Sequence, residues 1–71
     1  MKNRLLISVG MNIRKERIRQ GLSQEELAIK AGVHRTYIGM IERGEKNTTL
    51  ISLGKIAKGL GITISKILGG N

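Results

Sequence analysis

The chain has no cysteine, no proline, no tryptophan, no phenylalanine and no aspartate. Without cysteine there is neither a disulfide framework nor a thiolate metal site. One histidine and five glutamates leave little from which to build a metal cluster or a nucleophile–base pair. An enzyme and a cofactor are therefore not expected, and with no appended sensor domain in view neither is a small-molecule ligand. Apart from the His34 imidazole, a single tyrosine is the only aromatic ring, so a core would be mainly aliphatic. Long apolar runs are missing too, and nothing approaches the roughly 18 residues of a membrane span. The short run "LLISV" follows Lys2 and Arg4 like a weak secretory leader, but Arg14, Lys15 and Arg17 come soon after it. A cytoplasmic protein with no membrane partner is the expectation. At 71 residues the chain, 1–71, is one domain, of a size where burial alone leaves stability marginal.

What is abundant is positive charge: thirteen lysines and arginines against five acids, a net +8. Such an excess suits a polyanion, because each phosphate neutralised releases condensed counterions. The distribution is uneven. All the acids (Glu16, Glu25, Glu26, Glu42, Glu45) fall between residues 16 and 45, and Lys46, Lys55, Lys58 and Lys66 follow with no acid among them.

Glycines at 21, 32, 44, 61 and 69 fall where the apolar periodicity resets. The first segment, about Leu5 to Gln20, has Leu6, Val9, Ile13 and Ile18 near helical spacing. Gly10 within it reads as a flaw costing about 1 kcal/mol against alanine. A second segment opens on Ser23 with Glu26 three residues later, a capping box, and buries Leu27, Ala28 and Ala31 before Gly32. A third runs from about His34 to Arg43 with Ile38 and Ile41 inward. The fourth, about Thr49 to Leu60, carries the stripe Leu50, Leu53, Ile56, Ala57 and Leu60. A last turn, Thr63 to Leu68, carries Ile64, Ile67 and Leu68. No sustained alternation supports a strand, so the class is all-α with five helices.

Residues 24–43 have a stricter pattern. Counted from Gln24, positions four, eight and ten are Leu27, Ala31 and Val33, and positions fifteen and eighteen are Ile38 and Ile41. These would form the seam of two helices crossing steeply. Position five is Ala28, where the backbones come close, and position nine is Gly32, which can take the positive φ of a tight corner. This is the pattern of a helix-turn-helix. At about 3.6 residues per turn, Thr36, Gly39, Met40 and Arg43 face away from Ile38 and Ile41, and Arg35 reaches outward from the first turn. An outer face without acids, with a small Gly39 at its centre, suits close approach to a DNA groove.

The stretches "IRKERIRQGLSQEELAIKAGV", "YIGMIERGEKN" and "LISLGKIAKGLGITISKIL" resemble the Cro/CI-type (XRE-like) helix-turn-helix family. Within it, "RTYIGMIERGEKNTTL" is similar to the controller proteins of restriction–modification systems. The resemblance implies a five-helix, lambda-repressor-like DNA-binding domain. Its helix-turn-helix would span about 24–43, and helices within about 49–68 would serve core and dimerisation. It also implies a homodimeric transcription regulator on a palindromic operator in double-stranded DNA. A controller of this kind would regulate its own gene and that of the endonuclease, activating at low occupancy and repressing at high. An autoregulating antitoxin, a phage-type repressor and a non-specific coating protein are the alternatives.

Carried over residue by residue, the resemblance gives Arg35, Thr36 and Met40 as base readers, with Tyr37 at their flank on backbone or base edge. Ser23 and Gln24 at the start of the second helix would bond phosphate, and His34 would cap the third helix or touch phosphate. Arg43, Lys46 and Asn47 would clamp the opposite backbone, and Arg17 and Glu42 would pair the first helix with the third. For the tail, Ile62, Ile64, Ile67 and Leu68 are expected to be shared across a twofold axis.

Overall fold

The computed structural model describes residues 3–70, so Lys2 of the leader-like stretch lies outside the described residues. Five helices follow one another: α1 (Arg4–Arg19), α2 (Gln24–Ala31), α3 (Arg35–Glu42), α4 (Leu50–Leu60) and α5 (Ile64–Ile67). No strand occurs among the described residues, and the all-helical reading holds.

Every helix begins on a side chain that accepts from its own first turn. Asn3 Oδ1 takes the Leu5 amide at 2.8 Å, Thr49 Oγ1 the Ser52 amide at 3.1 Å, and Thr63 Oγ1 the Lys66 amide at 3.1 Å. At α2 the box is complete: Ser23 Oγ accepts from the Glu26 amide at 2.9 Å, and Glu26 Oε1 accepts from the Ser23 amide at 2.8 Å. That second bond holds the Glu26 carboxyl below its ordinary pKa. The first four helices close alike. Amides of Leu22, Val33, Glu45 and Ile62 reach back five residues to carbonyls of Arg17, Ala28, Met40 and Ala57 at 2.9–3.0 Å. This closure needs a left-handed residue just past the helix, and glycine supplies it each time, at φ near +70°.

Ile13, Leu27, Ile38, Ile41, Ile56 and Ile67 form the fully buried centre. The α2–α4 crossing depends on small residues: a Cβ on Gly59 would lie 3.1 Å from the Ala31 amide nitrogen. Gly10 likewise marks the crossing of α1 and α3, where a Cβ would be pressed into the Ile41 carbonyl oxygen and sit 2.8 Å from that of Glu42. It is a packing requirement and not the flaw that propensity suggests.

Two apolar residues read as inward face solvent. Ile18 is 54% exposed, because it lies about 140° around α1 from Ile13; Glu16 takes the buried position on that turn instead. Leu50 keeps the phase of the α4 stripe but stands uncovered in the first turn at 73% exposure.

Candidate nucleic-acid interface

The corner between α2 and α3 is made at Gly32, with φ 71° and ψ 34°. Ala28 is buried beside it, and Leu27, Ala31, Ile38 and Ile41 fill the seam with Val33 packed against them. Two short helices are thus held as one rigid unit, and the outer side of α3 is left to the solvent.

That outer side differs from the helical-wheel reading at its centre. Arg35 and Thr36 are exposed, but Met40 is half-buried and Gly39 is buried. A Cβ on Gly39 would meet Arg43 Nη1 at 3.1 Å and Gln24 Oε1 at 3.5 Å. The missing side chain makes room for two polar side chains of this protein, so Gly39 is not an open floor for a groove. His34 Nδ1 accepts from the Thr36 amide at 3.0 Å, which makes His34 the cap of α3 and leaves Nε2 as a donor. Tyr37 is half-buried against the core, and its hydroxyl lies 3.1 Å from Thr48 Oγ1. The ring therefore ties α3 to the loop that follows it. On that loop Lys46 and Asn47 are exposed, and Arg43 pairs with Glu45 at 3.0 Å.

Beneath the surface lies an ionic seam. Arg17 Nε and Nη2 donate to the two Glu42 oxygens at 2.7 and 3.0 Å, and Nη1 donates to the Leu22 carbonyl at 2.8 Å. The Glu42 hydrogen bond raises the Arg17 pKa against the opposing effect of burial. Gln24 Nε2 adds a third donor to Glu42 at 3.1 Å. Glu42 sits in the last turn of α3 and Gln24 in the first turn of α2, so the seam fixes both ends of the unit to α1. Gln24 keeps one amide hydrogen and its carbonyl for an outside partner, and Ser23 keeps its hydroxyl proton. A side chain not singled out from the sequence, Arg14, joins Arg17, Gln24, Glu42 and Arg43 in lining a cleft of about 260 Å³. Its signal was its place three residues before Arg17, one turn away on the same helix face.

The tail carries one correction. Ile67, expected at a subunit boundary, has no exposed surface and belongs to the core of the single chain. The α5 turn is too short to stand alone and is pinned by this isoleucine. Ile62 and Ile64 are half-buried, and Leu68 is 49% exposed. Further exposed apolar surface lies on α4 at Leu50, read as inward, and at Ile51, which is 76% exposed; Leu5, Met11 and Ile29 are exposed elsewhere.

Five helices with a glycine corner between the second and third define a helix-turn-helix protein, and comparison with known proteins agrees. The helix-turn-helix family model matches residues 13–67. The chain belongs to the helix-turn-helix family of DNA-binding transcription regulators, and its relatives include restriction–modification controller proteins. It is 49% identical over 57 residues to control protein C.SmaI of Serratia marcescens, covering 80% of this chain and 68% of that protein. To control protein C.BamHI of Bacillus amyloliquefaciens it is 39% identical over 69 residues, 96% of this chain and 85% of that one. The restriction–modification controller protein C.Esp1396I, solved as a tetramer on its natural 35 base-pair operator, superposes with a TM-score of 0.87. It is 40% identical, over 94% of this chain and 92% of that one. The match to the family model leaves out residues 4–12, the first turns of α1.

Proposed function

We propose that residues 1–71 act as one DNA-binding unit. In this reading the protein is a homodimeric cytoplasmic regulator that binds a palindromic operator and controls a restriction–modification system, its own gene included. It acts by binding and not by catalysis. The observation that carries this is the exposed pair Arg35 and Thr36 on a helix locked at both ends, beside a basic loop with Lys46 and Asn47. An arginine so placed can bond guanine O6 and N7 together, worth about 1–3 kcal/mol against another base. Met40, half-buried next to them, offers an apolar edge to a thymine methyl. Ser23, Gln24, His34, Arg43, Lys46 and Asn47 supply the phosphate contacts. Tyr37 serves by holding the loop through Thr48 and contributes at most a flank to base recognition.

Two copies are needed to read a palindrome, and the apolar residues left exposed on α4 and just after α5 support a meeting place there. Gly54 faces Ile64 on α5, where a Cβ would come within 3.8 Å of the Ile64 side chain. Leu50 and Ile51 lie four and three residues before Gly54, hence on the same side of α4, and Leu68 follows Ile64 by four. We assign the twofold contact to Leu50, Ile51, Ile64 and Leu68 with Ile62 at the margin. A dimer built on this side presents two recognition helices to half-sites about 34 Å apart. The tetramer of the controller C.Esp1396I shows self-association in a related protein. Ile51→Asp is expected to sediment as a folded monomer and bind operator weakly; a dimer that persists would place the contact elsewhere. For the operator itself, selection of bound duplexes from a random pool should return one palindrome. A pool that stays random after selection would contradict the reading.

A further inference from the structure

We propose that the cleft between α1, α2 and α3 seats a backbone phosphate of double-stranded DNA, with Arg14 as a side-chain donor beside Gln24 and Arg43. The inference rests on the operator-binding reading and assigns a role to a residue outside the helix-turn-helix unit itself.

The cleft is lined by three arginines, one glutamine and one glutamate. Its only carboxylate, Glu42, already accepts from Arg17 twice and from Gln24 once. Arg17 in turn uses all three guanidinium nitrogens on Glu42 and the Leu22 carbonyl. The floor is therefore a closed, neutral pair, and the charge left at the rim is that of Arg14 and Arg43. Among the described residues Arg14 has no acidic partner within ion-pair distance. Arg43 is held only by Glu45, and both members of that pair are about half exposed, so the pair costs little to open. Two cations sharing one concavity repel each other until an anion sits between them.

The shape fits the same occupant. Arg43, expected on the opposite backbone, lies instead with the Gln24 carboxamide over Gly39, and both line the cleft. A water occupies about 30 Å³ in the liquid, so the 260 Å³ cleft has room for one phosphate group with part of its hydration. Gln24 contributes its free amide hydrogen, and the two guanidinium groups contribute charge-assisted bonds. Bonds from α1, α2 and the end of α3 to one phosphate would fix the unit's depth in the groove and read no base.

Salt dependence tests the seat. Affinity for the selected operator and for an unrelated duplex is measured across a chloride series, for the wild type, Arg14→Ala and Arg14→Lys. One phosphate contact contributes about 0.9 to the slope of log affinity against log salt. Arg14→Ala is expected to reduce the slope by about that amount on both duplexes and to melt like the wild type, and Arg14→Lys to restore the slope. An unchanged slope would overturn the seat, and so would a loss confined to the operator, which would make Arg14 a base reader. Inorganic phosphate alone, titrated while the Arg14 side-chain NH resonance is followed, should leave it unmoved at low millimolar concentration. Saturation there would assign the cleft to a free anion instead. A wild type with no preference between duplexes would break the operator reading while leaving the slope comparison intact.

Discussion

Glu16 and Arg17 are neighbours in the sequence, and each is the charged group that ties α1 to a different part of the molecule. Arg17 reaches the recognition unit through Glu42, and the pair is enclosed at both ends, with side chains 12% and 3% exposed. Glu16 reaches the tail. It accepts from Arg19 and Gln20 on its own helix and lies 3.8 Å from Lys66 Nζ on α5. The Gln20 side-chain Nε2 also donates to the Leu60 carbonyl at the end of α4, and Asn12 Nδ2 donates to the Ile67 carbonyl. Here the carboxylate is buried but its cationic partners are 66% and 53% exposed. One helix turn therefore carries a dry lock towards the helix-turn-helix and a wet one towards the tail. A desolvated pair leaves an uncompensated charge when one partner is lost, whereas exposed cations are simply rehydrated. The dry lock lies on the side proposed to hold its geometry against DNA.

The comparison breaks most visibly at Glu42. Glu42→Ala is expected to lose about 3–5 kcal/mol in urea unfolding, since Arg17 stays behind without its counter-charge. A loss below about 1 kcal/mol would mean that water already screens the pair and the contrast is false. Next comes Gly10→Ala, which forces a methyl against the carbonyls of Ile41 and Glu42. Overpacking of this kind costs about 1–3 kcal/mol, and operator affinity should fall with it because α3 is displaced. Stability and affinity equal to wild type would show that α1 and α3 separate freely. The tail lock should break more gently: Glu16→Gln is expected to lose less in urea unfolding at neutral pH than Glu42→Ala, because the exposed Arg19 and Lys66 are rehydrated, and to leave operator contacts of each head intact.

Acid loosens the tail lock. Hydrogen bonds from Arg19 and then Gln20 lower the Glu16 pKa from 4.5 to about 2, against an opposing effect of burial. Because the folded value is the lower one, this contribution is fully present above about pH 4.5 and is lost as pH falls towards 2. The wild type should thus lose melting temperature across that window, and Glu16→Gln should lose less. Parallel curves for the two proteins would remove Glu16 from the account.

Local rules made much of the fold legible. Ser23 with Glu26 marked the start of α2, and the glycines at 21, 32, 44, 61 and 69 all adopt positive φ. Each signal is a backbone requirement met by one residue type, so a sequence states it directly. What stayed hidden depends on distant neighbours. Gly10 and Gly39 look alike as helix glycines, yet one admits the α3 backbone and the other two polar side chains. Ile67 and Ile51 are equally apolar, and only the packing of α5 puts the first inside and leaves the second bare. Arg14 had only its spacing from Arg17 to mark it, because the cleft it lines is formed by three helices together.

Chemical-shift mapping on the selected operator duplex tests the central claim most directly. Backbone amides of residues 35–40 and 43–47 should shift on binding, and those of α4 should move only where two copies meet. Shifts concentrated on α4 and α5, with Arg35 and Thr36 unmoved, would contradict the account.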